Sequence, residues 1–72
     1  MLYGFRVTVY TDDHGPPHVH VTRGAQIRVF LNGEYSVERA AGRMSAPDER
    51  RARRIVANNC VELVALWRKY HR

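Results

Sequence analysis

The sequence predicts an α+β fold: a small antiparallel β-sheet of three to four strands with one long C-terminal α-helix packed on one face. Three observations carry this. Apolar and polar residues alternate with a period of two through much of residues 5–39, the signature of half-buried strands. Glycine- and proline-rich clusters interrupt that region at intervals too short for helices. From residue 45 the period changes to 3.6 and holds to residue 71. The 72 residues allow a single domain spanning 1–72, with the sheet in 5–39 and the helix in 45–71.

The elements follow in order. Phe5-Arg6-Val7-Thr8-Val9-Tyr10 alternates and reads as the first strand. Thr11 to Pro17 is a breaker cluster, a loop stiffened by two prolines that fix φ and donate no backbone hydrogen bond. His18-Val19-His20-Val21-Thr22 alternates again. Gly24-Ala25 reads as a turn. A two-residue turn there would pair residues whose numbers sum to an odd value and place His20 on the face of Val29. Burying the valines together requires an even sum, hence a three-residue loop or a bulge. Gln26 to Leu31 is the third strand. Asn32-Gly33 is the strongest short hairpin signal in the chain, and Tyr35-Ser36-Val37-Glu38 is a shorter fourth strand whose facing the pattern leaves open. Ala40 to Met44 is a connector. Ser45-Ala46-Pro47-Asp48 then forms a helix start, with Ser45 as N-cap, Pro47 in the first turn, and Asp48 and Glu49 at the positive end of the helix dipole. Ala52, Ile55, Val56, Cys60, Leu63, Val64, Trp67 and Tyr70 form one apolar stripe. The helix would cover Phe5, Val7, Val9, Val19, Val21, Ile27, Val29 and Leu31. Arg6, Thr8, Tyr10, His18, His20, Thr22, Arg28 and Phe30 would line the open face.

Composition narrows the function classes. A chain this short buries about 60% of its unfolded surface, which disfavours a deep internal cavity and directs any site to a surface groove or sheet face. The single cysteine, Cys60, excludes an internal disulfide and a Cys-based zinc cage, and fits a reducing cytoplasm. Cys60 falls in the buried phase, which favours an inert thiol. No apolar run reaches the roughly 20 residues of a membrane span, and the start lacks the layout of a signal peptide. The net charge is +5. Residues 1–40 are neutral, so the excess lies wholly in residues 41–72. A local basic patch attracts polyanions such as RNA, DNA or an acidic partner protein, although a solubilising helix face has the same composition.

The candidate chemistry lies in Asp13-His14-Gly15-Pro16-Pro17-His18-Val19-His20. His18 and His20 are two apart on a strand, so both rings point the same way, and His14 stands across the rigid turn. Three readings follow. His14, His18 and His20 are candidate ligands for zinc or another divalent metal. They are also candidate acid–base catalytic groups, with Arg6 and Arg28 holding a phosphate as in a metal-free ribonuclease. The bland alternative has His14 and His18 pinning the loop to backbone carbonyls, with His20 exposed. Nucleic-acid contacts are expected from Arg50, Arg51, Arg53 and Arg54 on the helix, and from Tyr10 and Phe30, exposed aromatics able to stack single-stranded bases. Trp67 and Tyr70 are expected in the core. Two free sheet edges predict a homodimer.

The Asp13–His20 run, two short strands and an Arg-rich amphipathic helix with a late tryptophan together resemble a small bacterial family of domains of unknown function, number 4160 in its series. Its members resemble F-x-x-D-H-x-P-P-H-F-H followed by an apolar strand, a Gly-containing turn, and a helix with R-R-A and a Trp shortly before a His. Arg50-Arg51-Ala52, Trp67 and His71 match the helix part. Val19 departs from the usual aromatic, and the Ala40–Met44 connector departs from a Gly-x-Leu-Pro approach. The resemblance implies a bacterial protein often encoded beside another small gene, with a toxin–antitoxin connection, and it implies no defined activity. The leading expectation is therefore a cytoplasmic, nucleic-acid-directed component of a toxin–antitoxin-like module, with RNA cleavage by the histidines as one form of it. The alternatives are a non-enzymatic module docking DNA or a small acidic antitoxin-like protein through the basic helix, and a His-ligated metal protein.

Overall fold

The computed structural model describes residues 4–10 and 15–71. Four strands, β1 (Arg6–Thr8), β2 (His18–Arg23), β3 (Ala25–Phe30) and β4 (Val37–Ala41), form one antiparallel sheet in the order β1-β2-β3-β4. Two helices follow, α1 (Ala46–Asn58) and α2 (Cys60–Tyr70). The α+β architecture is the one expected, and the C-terminal helical segment carries a one-residue interruption at Asn59.

Strand β2 is the spine of the sheet, and its register decides which side chains share a face. Val19 pairs Val29 and Val21 pairs Ile27, while His18 pairs Phe30 and His20 pairs Arg28. Every pair sums to 48, the even sum that keeps the valines together. The hairpin tip is Gly24, at φ +71°, between the paired residues Arg23 and Ala25. A positive φ at so tight a corner suits glycine, which has no Cβ to clash. Beyond β2, the Leu31 N–H donates to Pro17 O at 2.9 Å and carries the register one residue further.

The β3–β4 connection differs from the expected two-residue Asn32-Gly33 hairpin. The strand pairing begins at Val29–Val37, and the loop 31–36 bends through Gly33 at φ +67° and Tyr35 at φ +51°. A two-residue turn would give an odd register sum; the observed pairs from Val29–Val37 to Ile27–Arg39 are even, so β4 starts later and runs into Ala40 and Ala41, residues expected in the connector. That register turns Val37 to the core face and Glu38 to the histidine face, which settles the facing of the fourth strand.

The core is Phe5, Val19, Val21, Ile27 and Val29 from the sheet region, Met44 from the connector, and Ala52, Ile55 and Val56 from α1. Val7, Val9, Leu31 and Leu63 pack against it. Ser45 caps α1 as expected: its hydroxyl accepts from the Asp48 N–H at 3.3 Å. The helix breaks at Asn59. Its side-chain amide donates to Ile55 O at 2.8 Å, its own N–H is shared between Ile55 O and Val56 O at 3.2 Å each, and its φ of −118° is not helical. Asparagine ends helices this way because its short amide competes for backbone carbonyls. Two consecutive asparagines at 58–59 are a break signal that the unbroken apolar stripe concealed.

Candidate functional site

Past the break, α2 brings Trp67 to the histidine face. Leu63 still packs on the valine core, but one turn later Trp67 meets His18, whose ring points to the opposite face. The two ring centroids lie 5.2 Å apart. His18 and His20 are therefore 4% and 6% exposed, not solvent-facing groups on an open sheet. The direction of their side chains follows the strand period as expected. Their accessibility is corrected, because Trp67 and flanking rings cover them.

A chain of rings runs across this face. Tyr10 meets His20 edge-on at 4.5 Å, His20 lies 5.3 Å from His18, and His18 lies 5.6 Å from Phe30. His71 stacks on Trp67 nearly parallel, at 3.6 Å and 10°. Such offset and edge-on contacts add to the burial of the rings. Phe30 is half-buried within this chain, whereas Tyr10 is 41% exposed at its end. Tyr70, expected in the core, is 45% exposed, whereas Trp67 is buried and meets His18.

The His18 ring is held from behind. Its Nδ1 lies 2.8 Å from Pro16 O. A carbonyl only accepts, so Nδ1 donates the proton of this bond. His18 thus pins the proline turn as the bland alternative expected, while His20 departs from that alternative by being buried. His71 repeats the device, with Nδ1 2.9 Å from Trp67 O, one turn back along α2. Among the described residues no group of three His, Cys, Asp or Glu side chains is arranged to hold a metal ion. His14, the third expected ligand and acid–base candidate, lies outside the described residues.

The candidate phosphate contacts of the sheet divide. Arg6 is exposed on β1. Arg28 forms an ion pair of 2.6 Å with Glu38 across β3 and β4, so its charge is locally offset.

The α1 arginines also divide. Arg53 uses its guanidinium fork on the 31–36 loop: Nε donates to Tyr35 O at 3.0 Å and Nη2 to Glu34 O at 2.9 Å. It clamps the loop at the residue with a left-handed backbone, a conformation that costs on the order of 1 kcal/mol or more outside glycine. Arg50, Arg51 and Arg54 are exposed, and among the described residues their one ion pair is Arg51 with Asp48 at 3.4 Å. The same loop brings Tyr35 to Cys60, a half-buried free thiol. A hydrogen bond with the Cys60 side chain, with desolvation adding to it, raises the Tyr35 phenol above its ordinary value of 10.0.

Sequence reasoning missed two members of this arrangement. In the sequence Trp67 reads as part of the helix stripe and His71 as part of the family pattern, yet Trp67 lies against His18 and His71 stacks on Trp67. The Asn58-Asn59 pair was the available signal. Comparison of the chain with curated proteins and with solved structures finds no match. A family model described as a domain of unknown function, DUF4160, matches residues 4–68, a span that takes in the whole sheet, α1 and α2 as far as Trp67 and Arg68. The chain belongs to that family.

Proposed function

We propose that this protein is the nucleic-acid-binding component of a toxin–antitoxin-like pair, and that it grips phosphates through the exposed arginines of α1. The observation that carries the reading is the exposure of Arg50, Arg51 and Arg54 along one helix, with Asp48 their one ion-pair partner among the described residues. Closely spaced guanidiniums release condensed counterions from a phosphate chain, which makes such a face a sequence-independent anchor. The two-gene setting is what the family resemblance implies.

An RNA-cleaving form of this reading, with His18, His20 and His14 as acid–base groups, requires the Trp67 ring to leave His18 before a scissile phosphate can approach. A binding module requires no such movement, and it is the form we favour. The same arginines suit an acidic partner protein, and the test distinguishes the two. Affinity for single-stranded RNA and for duplex DNA is measured against salt. Three phosphate contacts give a log–log slope of about −2 to −3, and replacing Arg50, Arg51 and Arg54 together by alanine flattens it. A flat response in the native protein removes the nucleic-acid reading. Binding confined to an acidic protein replaces it.

A further inference from the structure

Arg51, Arg54, Ile55 and Asn58 follow the spacing i, i+3, i+4, i+7, and so form one stripe of α1. With Phe5 and Asn59 they line an open groove of about 480 Å³. The apolar floor is Phe5 and Ile55, both in the core. Arg51, Arg54, Asn58 and Asn59 supply its polar lining. No carboxylate lines the groove among the described residues. Arg54 and Asn58 have no hydrogen-bond or ion partner among them. Arg23 adds a third cation beside the floor, its guanidinium 5.1 Å from the centre of the Phe5 ring. The Asn59 amide N–H is used on Ile55 O, which turns the other end of that side chain, its carbonyl oxygen, into an available acceptor.

We infer that this groove is a binding site for a single phosphorylated nucleotide unit, with the phosphate held between Arg51 and Arg54 and the sugar or base edge hydrogen-bonded by Asn58 and Asn59 over Ile55. The inference rests on the nucleic-acid reading above and adds to it a place where one nucleotide of the strand is seated. The volume falls in the range of roughly 300–1,000 Å³ that small-ligand sites occupy. Two guanidinium forks match the several oxygens of a phosphate, and arginine is the side chain suited to such bidentate contacts. Primary amides both donate and accept, as a base edge requires. An isolated carboxylate of an acidic peptide would satisfy the arginines but leave the paired amides and the apolar floor without a counterpart.

The test uses the full chain, isotope-labelled, with five probes: adenosine 5′-monophosphate, adenosine, inorganic phosphate, a short single-stranded RNA and an oligoglutamate peptide. The nucleotide is expected to shift the side-chain amide signals of Asn58 and Asn59, with adenosine and inorganic phosphate each binding at least about tenfold more weakly. Arg54→Ala and Asn58→Asp each weaken nucleotide binding by about tenfold; both positions are exposed, so both variants fold. Arg68→Ala, on the exposed side of α2, leaves it unchanged. If the RNA binds with a steep salt dependence but the nucleotide leaves Asn58 and Asn59 unmoved, the groove assignment falls and the nucleic-acid reading stands. If the nucleotide binds at the groove and the RNA does not bind, the nucleic-acid reading falls. If an oligoglutamate peptide shifts the groove signals and the nucleotide does not, the occupant is an acidic peptide and the inference is overturned.

Discussion

The two faces of the sheet are built from one strand, yet they are covered in different ways. On one face Val19 and Val21 lie under Ala52, Ile55 and Val56 of α1, an apolar layer with no polar atoms to satisfy. On the other, His18 lies against Trp67 and Phe30, and His20 against Tyr10, a layer of rings in which the imidazoles carry polar nitrogens. Burial is nearly as complete on the second face as on the first: His18 is 4% exposed and Val19 0%. The difference teaches that strand alternation decides the direction of a side chain, whereas covering it requires an element that arrives from elsewhere in the chain. A polar face need not be an open face.

The comparison can be broken from either side. The largest effect is expected on the valine face. Val19→Asp places an unpaired charge in the core and is expected to cost about 4 kcal/mol or more, enough to unfold a chain of this size. Loss of the cooperative transition in urea, followed by circular dichroism, is the readout. A folded variant would show that the core tolerates water where the packing says it does not.

Trp67→Ala strikes the ring layer and spares the valines. It is expected to cost about 3 kcal/mol, the low end for a buried tryptophan. It should also expose His18, so modification of that ring by diethylpyrocarbonate should speed up markedly while the valine-face amides keep their protection from exchange. Unchanged histidine reactivity would mean that Trp67 is not the cover. A gain of ribonuclease activity in this variant would revive the catalytic form of the reading.

The smallest effect concerns Tyr35, which packs at the rim of the valine face. Its phenol is raised by its hydrogen bond with Cys60, so the folded state favours the neutral form. The resulting stability is fully present below pH 10.0, the ordinary value, and is lost as the pH climbs through the raised value. Tyr35→Phe should remove this alkaline loss without changing behaviour at neutral pH. Absorbance titration of phenolate formation measures it, and titration of Tyr35 at or below the ordinary value would contradict the contact.

Much of the molecule is legible in the residues because the signals are local. Ser45 before Pro47 and Asp48 specifies a helix start whatever surrounds it, and the hydroxyl is found on the Asp48 N–H. The even register of β2 and β3 follows from the need to bury Val19, Val21, Ile27 and Val29 together, and Gly24 supplies the corner. The candidate site is less legible. The α1 arginines look equivalent in the sequence, but Arg53 differs because the Tyr35 and Glu34 carbonyls, 18 and 19 residues away, lie within its reach. Arg28 likewise looks free until β4 presents Glu38 to it.

By itself the sequence determined the fold class, the register of β2 on β3, the core face, the cap of α1 and the family. Each depends on spacing along the chain, on local turn chemistry or on a motif, and these act over a few residues. Tertiary structure alone decided that the helix is interrupted at Asn59, that Trp67 closes over His18, and that Arg51, Arg54, Asn58 and Asn59 share a groove with Phe5. The apolar period of 60–70 is compatible with an unbroken helix as well as an interrupted one. Choosing between them depends on whether the tryptophan ring gains more by covering the imidazoles than the helix loses at one break. That balance is set by side chains some fifty residues apart in the chain, which no local pattern records.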